Sequence, residues 1–127
     1  MMRIEDIGLW VEDLDKMRAF YETYFGARAN DLYHNPQKVF KSYFLTFVDD
    51  AYLELMTWGD IAERHENAFG CAHLAYVVGD EADVDVLMGR LREAGYAVVG
   101  EPRRIGDGCY ESVVLDTEGN QIEITAA

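Results

Sequence analysis

The chain has few basic residues, and this shortage excludes several kinds of partner. It contains 11 Lys and Arg against 24 Asp and Glu, which gives a formal net charge of −13. An electrostatic field of this sign repels phosphate backbones and anionic lipid headgroups. Binding to nucleic acid or to a membrane surface is therefore not expected, whereas a cationic ligand or a metal ion is compatible with the charge.

Cysteines and long apolar runs are also scarce. The two cysteines, Cys71 and Cys109, stand in separate stretches without a Cys-x-x-Cys spacing, which is typical of reduced thiols and not of a disulfide framework. No apolar run approaches the roughly 20 residues of a membrane span. The first residues also lack the basic and then apolar layout of a signal peptide. We therefore expect a cytoplasmic protein.

Half of the 127 residues are apolar, which is enough for one domain with a sizeable core. The apolar periodicity predicts two copies of one βαβββ module, over residues 1–58 and 70–127, joined by a polar linker over 59–69. Equivalent elements lie 67 to 69 positions apart. The expected fold is α+β, in which two modules form a curved, mostly antiparallel sheet cup with one helix per module on the convex side.

Each module has one predicted helix. The first runs from Leu14 to Phe25, with Asp13 at its start and Gly26 at its end. The second covers 81–94. The predicted strands cover 3–11, 28–33, 40–48 and 52–58 in module 1, with the turn 49–50, and 71–78, 96–102, 110–115 and 121–125 in module 2, with the turn 117–120.

Strand alternation places four ligand-type residues on the sheet faces turned away from the helices. Asp6 and His73 occupy equivalent places in the first strand of each module, and Glu54 and Glu123 occupy equivalent places in the last strand. We interpret the four as ligands of one divalent metal ion, because a cation offsets carboxylates that would otherwise repel one another. The alternative for each is a solvated glutamate or aspartate, or a hydrogen-bonded structural histidine.

The same faces carry large side chains that predict a substrate-binding wall. An aromatic wall around a few polar groups is typical of small-molecule sites. The alternative is that these side chains pack in the core or in a dimer interface. The predicted members are Trp10, Tyr52, Met56 and Trp58, with Tyr43 and Phe47 as additions.

Several segments resemble the vicinal oxygen chelate superfamily of glyoxalases, bleomycin-resistance proteins and dioxygenases. The resemblance covers essentially the whole chain. The most specific segment is 115–124, which is similar to the Asp-Pro-x-Gly-Asn-x-Ile-Glu ending of the family. The others are 6–14, Phe20-Tyr21, Phe25-Gly26, Leu53-Glu54-Leu55 and Ala72-His73-Leu74-Ala75.

The resemblance to glyoxalase I implies a function as well as a fold. It implies a lyase or isomerase that acts on a small substrate with vicinal oxygens, and a homodimer. It implies one divalent ion per site (manganese, magnesium, iron, zinc or nickel), with Asp6, Glu54, His73 and Glu123 at the ligand positions. Glu123 or Glu54 would then be the catalytic residue that moves a proton.

Two positions depart from the family pattern. Asp6 stands where histidine is common, and its side chain is roughly 2 Å shorter; a set of one imidazole and three carboxylates shifts the preference toward manganese, magnesium or iron(II). Trp10 stands where glutathione-using glyoxalases tend to have an arginine, so a strict lactoylglutathione lyase is not predicted. Arg103 and Arg104 are either substitute anion contacts or a solvated loop pair.

Two other functions remain open from the sequence. A non-catalytic binder similar to bleomycin-resistance proteins, which sequesters a cationic aromatic ligand, fits the net charge of −13 and the aromatic wall. A structural dimer with a vestigial metal site fits the unusual Asp6. The presence of Glu54, His73 and Glu123 favours the enzyme, because a sequestering protein has no use for metal ligands.

Overall fold

A computed structural model describes residues 2–48, 51–64, 68–106 and 108–127. The chain divides into two compact units, Met1–Arg64 and His65–Ala127. The predicted turn at 49–50 and positions 65–67 of the predicted linker lie outside the described residues.

The first unit contains a mixed sheet and one helix. The sheet has the order β1-β5-β4-β2, and β3 pairs with β4 beside this path. The first and last strands, β1 and β5, are parallel, and the other pairs are antiparallel. The elements are β1 (Asp6–Trp10), α1 (Leu14–Phe25), β2 (Arg28–Ala29), β3 (Tyr33–Asn35), β4 (Phe40–Thr46) and β5 (Tyr52–Thr57).

Helix α1 has the predicted bounds because both of its ends are capped. The Asp13 side chain accepts a hydrogen bond from the Lys16 backbone N–H at 3.1 Å, and Gly26 ends the helix in the left-handed region at φ 64°. Its apolar face packs on β4 and β5. The buried side chains are Leu14, Met17, Phe20 and Tyr21 of the helix and Leu45, Leu53 and Leu55 of the sheet.

The second unit repeats this plan with the order β6-β9-β8-β7, and its first and last strands are again parallel. Asp80 and Asp83 form a reciprocal capping box at the start of its helix, with both hydrogen bonds at 2.9 Å. Among the described residues, neither helix is long and apolar enough to cross a membrane. The elements are β6 (His73–Gly79), α2 (Glu81–Glu93), β7 (Val98–Arg104), β8 (Tyr110–Leu115) and β9 (Gln121–Ala126).

Several strand boundaries differ from the predicted ones. The strand predicted over 28–33 is divided into β2 and β3, because the Asn30 side chain accepts the hydrogen bond of the Phe44 backbone N–H at 2.8 Å in place of a backbone partner. The first strand of each unit begins two or three residues later than predicted, at Asp6 and at His73. Strand β7 begins at Val98 and extends through Pro102 with an irregular register against β8.

Candidate functional site

The two units place ligand-type residues at equivalent points of their parallel strand pairs. In the first unit, Glu54 is the register partner of Gly8, two residues after Asp6. In the second unit, Glu123 is the register partner of Ala75, two residues after His73. Each pair therefore consists of one residue on the first strand and one on the last strand, with the same offset. The sequence neighbours of the two glutamates, Leu53, Leu55, Ile122 and Ile124, are buried beneath the helices.

Asp6 and Glu54 interact in the first unit, and the interaction affects the ionisation of Glu54. Partial burial raises the pKa of the Glu54 carboxyl above its usual range, and the charge of Asp6 and a side-chain hydrogen bond with Asp6 raise this pKa further. Two carboxylates in contact disfavour full ionisation of both. This pair therefore carries the excess negative charge that a bound cation would neutralise.

His73 and Glu123 form the corresponding pair in the second unit. The distance from His73 Nε2 to Glu123 Oε2 is 3.4 Å. The histidine side chain is 41% exposed and the glutamate side chain 24% exposed, so both remain accessible to a ligand. An imidazole nitrogen beside a carboxylate oxygen is a donor combination that divalent transition-metal ions accept.

Within the residues that the structure describes, no group of three or more His, Cys, Asp or Glu side chains is arranged to hold a metal ion. The predicted ligands are instead present as two pairs, one in each unit. The residue types of both pairs fit a divalent ion, since each pair offers two oxygen or nitrogen donors and carries net negative charge.

A cavity of about 660 Å³ opens beside Asp6 in the first unit. It lies along one row of the sheet, in which Arg28 on β2 pairs with Thr46 on β4, Thr46 with Tyr52 on β5, and Tyr52 with Asp6 on β1. Register partners point to the same face, so this row lies on the face that carries Glu54. The lining residues are Glu5, Asp6, Arg28, Ala29, Asn30, Phe44, Thr46 and Tyr52.

Sequence reasoning missed the contribution of β4 and β2 to this cavity. Strand alternation places Phe44 and Thr46 on the cavity face once Leu45 is assigned to the core, so a signal for these two residues was present. Arg28 carried no such signal, because apolar and polar residues do not alternate in the strand predicted over 28–33.

The predicted wall residues lie in two groups of the first unit. Tyr52 lines the cavity, and its ring meets that of Phe44 edge to face, with centroids 6.0 Å apart. The ring of Trp10 stacks on that of Trp58 with centroids 6.3 Å apart, and the two residues are 50% and 43% exposed. Met56 is the register partner of Trp10 and lies beside this stack.

Two predicted additions to the wall were wrong. Tyr43 is the register partner of Leu55 and is 5% exposed, so it faces the helix. Its hydroxyl donates to Asp15 at 3.0 Å and accepts from Arg18 at 2.9 Å, and burial together with the Asp15 hydrogen bond raises its pKa. Phe47 also lies on the helix side, where its ring meets that of Tyr21 of α1 at 6.2 Å.

Arg103 and Arg104, the two arginines considered as substitute anion contacts, both have hydrogen-bond partners within the chain. Arg104 forms two hydrogen bonds with the Glu81 carboxylate at 2.5 and 2.6 Å and lies against the ring of Tyr110. Arg103 donates to the backbone oxygen of Glu101 at 3.2 Å. Arg104 therefore has an internal counter-ion in the second unit.

Comparison with known proteins identifies the family of the chain. The model of the Glyoxalase/Bleomycin resistance protein/Dioxygenase superfamily matches residues 3–124. The chain belongs to this superfamily. The predicted α+β class is confirmed, and so is the resemblance on which the sequence interpretation rested. No curated protein matches the chain significantly.

Solved structures of the superfamily match nearly the full chain. The trypanothione-dependent glyoxalase I of Leishmania major is 25% identical, with a TM-score of 0.80 over 99% of this chain and 87% of that one. A glyoxylase/bleomycin resistance protein/dioxygenase domain from Frankia sp. EAN1pec is 18% identical, with a TM-score of 0.85 over 100% and 98%. Lactoylglutathione lyase from Agrobacterium tumefaciens is 23% identical, with a TM-score of 0.71 over 98% and 93%. The latter two likenesses concern the fold alone.

Proposed function

We propose that the chain is a metal-dependent enzyme of the glyoxalase type, a lyase or isomerase that acts on a small substrate with vicinal oxygens. Superfamily membership supplies the class of protein. The observation that carries the proposal is the equivalent placement of Asp6 with Glu54 and of His73 with Glu123 on two parallel strand pairs. A repeat that served only for packing would not require ligand-type residues at matched positions.

We assign the divalent ion to these four side chains, supplied by one chain or by two copies in a homodimer. The interaction between the Asp6 and Glu54 carboxyls supports this assignment, because a cation offsets the burial and the neighbouring charge of Asp6, which together raise the Glu54 pKa. Three carboxylates and one imidazole favour manganese, magnesium or iron(II) over nickel or zinc. When bound, such an ion supplies a Lewis acid that stabilises negative charge on the adjacent oxygens of the substrate.

The protein's own residues then have two tasks. Glu54 or Glu123 moves a proton at the substrate carbon, for which a carboxylate within hydrogen-bond reach is suited. Tyr52, Trp10 and Trp58, with Met56 beside them, orient the substrate through their exposed faces. Substitution of either glutamate by glutamine tests this role together with its role as a metal ligand, because glutamine keeps the size of the side chain but accepts no proton.

The matched structures suggest which substrates to test first. They include a glyoxalase I and a lactoylglutathione lyase, so adducts of a 2-oxoaldehyde with a thiol are the first candidates. Trp10 cannot form an ion pair with the carboxylates of glutathione, which favours a different thiol. Both cysteines are exposed, and within the described residues neither forms a disulfide; this agrees with the reducing cytoplasmic location that we propose.

The test combines metal content with activity. Protein purified without chelators should contain a divalent ion, lose activity on chelation and regain it on addition of manganese, magnesium or iron(II). Glu54→Gln and Glu123→Gln should abolish activity. Glu93→Gln on helix α2 removes the same charge outside both pairs and should be fully active. Metal-free protein that shows no thermal shift with any divalent ion would contradict the proposal.

A second candidate function is a non-catalytic binder of a cationic aromatic ligand. Trp10 and Trp58 form an exposed stack, and Phe40 meets Trp10 edge to face with ring centroids 6.3 Å apart. These aromatic faces and the net charge of −13 favour a cationic ligand. Aromatic faces attract cations. Calorimetry with a bulky aromatic cation, before and after removal of divalent ions, separates the two functions: binding that a chelator does not change favours the binder.

A further inference from the structure

Arg28 lines the cavity of the first unit in an acidic chain, whereas Arg103, which also forms no ion pair with a described carboxylate, lies in the second unit. Arg3, Arg18, Arg92 and Arg104 each form an ion pair with a nearby carboxylate. Among the described residues, no carboxylate lies within ion-pair distance of Arg28, although the chain contains 24 Asp and Glu. Because Arg28 lies in the wall of the cavity, its positive charge is available for a ligand.

The acidic residues of the same cavity have other partners. Glu5 forms an ion pair with Arg3 at 2.8 Å, and Asp6 contacts Glu54 by a side-chain hydrogen bond. The cavity therefore has a negative end at β1 and β5 and a positive end at β2. The hydroxyl side chains of Thr46 and Tyr52 lie between these ends, in the same row.

The dimensions of the row suit a small, elongated ligand. Three inter-strand steps of about 4.8 Å separate Arg28 from Asp6, so their Cα atoms are about 14 Å apart. Because the arginine side chain is long and flexible, its guanidinium can cover part of this distance. A molecule of metabolite size in the cavity of about 660 Å³ can then reach both ends.

We propose that the cavity binds an anionic arm of the substrate and that Arg28 is the residue that recognises it. This inference rests on the proposed function, because the other end of the same substrate presents its vicinal oxygens at the Asp6 and Glu54 end. The planar guanidinium donates two parallel hydrogen bonds to a carboxylate, which an ammonium group cannot do in the same way. Arg28 is thus a specificity-determining residue for substrates that combine vicinal oxygens with a negative charge.

The experiment uses two probes that differ only in charge. Dihydrocaffeate carries adjacent hydroxyls on its ring and a carboxylate on its arm, and dihydrocaffeamide is its neutral counterpart. Calorimetry with the full-length, manganese-loaded protein measures the affinity for both probes. The variants are Arg28→Gln, which removes the charge, and Arg28→Lys, which keeps it. Arg103→Gln, which removes an exposed guanidinium of the second unit, is the control.

We expect the wild type to bind the carboxylate probe about tenfold more tightly than the amide, which is the effect of one charge-assisted hydrogen-bonded contact. Arg28→Gln should remove this difference and leave the affinity for the amide unchanged. Arg28→Lys should restore part of it, and Arg103→Gln should behave as the wild type.

The contrary outcomes separate the two proposals. If the wild type bound both probes with equal, metal-dependent affinity, the proposal of an anionic arm would be wrong, and the proposed metal-dependent enzyme would stand. A preference for the carboxylate probe that survives in Arg28→Gln would overturn the role of Arg28. Failure of both probes to bind the manganese-loaded protein would overturn this inference, whereas the proposed metal-dependent function is tested separately by metal content and by the thermal shift with divalent ions.

Discussion

Replacement of Asp116 by alanine tests how the turn that precedes Glu123 is held. Asp116 is 6% exposed and follows β8. Its carboxylate accepts hydrogen bonds from the backbone N–H groups of Glu118 at 2.9 Å and Asn120 at 3.0 Å, and from the Asn120 side-chain amide at 3.0 Å. The variant leaves these donors without their acceptor in a part-buried turn.

The magnitude follows from two opposing effects. A hydrogen bond to a charged acceptor contributes about 1.5–3 kcal/mol, but water can replace part of this in a turn. Burial of the carboxylate is itself unfavourable, and it raises the Asp116 pKa more than the hydrogen bonds lower it. We therefore expect Asp116→Ala to lower the free energy of unfolding by about 2 kcal/mol in total, which corresponds to a fall in Tm of roughly 6–10 °C for a chain of this length.

Urea denaturation and thermal melts of the metal-free protein measure this change. Asp116→Asn is the matched control, because the amide oxygen can still accept from both backbone N–H groups; it should lose less than about 1 kcal/mol. If Asp116→Ala were as stable as the wild type, the hydrogen bonds of this turn would contribute nothing net. Equal, large losses in both variants would show that the charge, and not the acceptor geometry, matters.

The same residue gives a dependence on pH with a definite sign. Because the folded-state pKa of Asp116 is raised above the ordinary value of 3.8, the folded protein binds this proton more tightly than the unfolded chain. The contribution of Asp116 to stability therefore falls as the pH rises from that value through the folded-state pKa. Asp116→Asn should lack this decline, and the difference between the two stability profiles measures it. If the wild type instead became more stable relative to Asp116→Asn as the pH rose, the folded-state pKa of Asp116 would not be raised.

Two further variants test the first unit. Tyr43→Phe removes the hydroxyl that contacts Asp15 and Arg18; we expect a loss of about 1 kcal/mol in urea denaturation, with unchanged metal affinity because Tyr43 faces the helix. Gly26→Ala places a side chain at φ 64° with no other atom within 4 Å, so the cost should be the backbone strain alone, about 1 kcal/mol in the same assay. Substantially larger losses would mean that these two sites are packed more tightly than the structure shows.

The elements that the sequence predicted best are those with local signals at their ends. Helix α1 has its predicted bounds because Asp13 and Gly26 determine its ends through their own backbone neighbours. The division of the strand predicted over 28–33 could not be predicted, since it depends on a hydrogen bond between Asn30 and Phe44, which is 14 positions away.

The candidate site also contains residues with a local signal in the sequence and a residue without one. Strand alternation was enough to place Glu54, because Leu53 and Leu55 on either side of it are buried. Asp6 was placed by the alternation of Ile7, Leu9 and Val11, of which Val11 is buried and Ile7 is 39% exposed. Arg28 had no comparable signal. That it lacks an acidic partner depends on where every described carboxylate lies in space, and the sequence does not contain this information in any local pattern.

A manganese titration shows whether the pairs Asp6–Glu54 and His73–Glu123 bind the same ion. Calorimetry of the metal-free wild type, of Glu54→Gln and of Glu123→Gln gives the number of ions per chain and the affinity for each. We expect one ion per chain, with an affinity that each substitution alone lowers by at least about tenfold, since even residues beside the ligands commonly have such effects. Two independent binding events, of which each variant loses only one, would show that the two pairs do not share an ion.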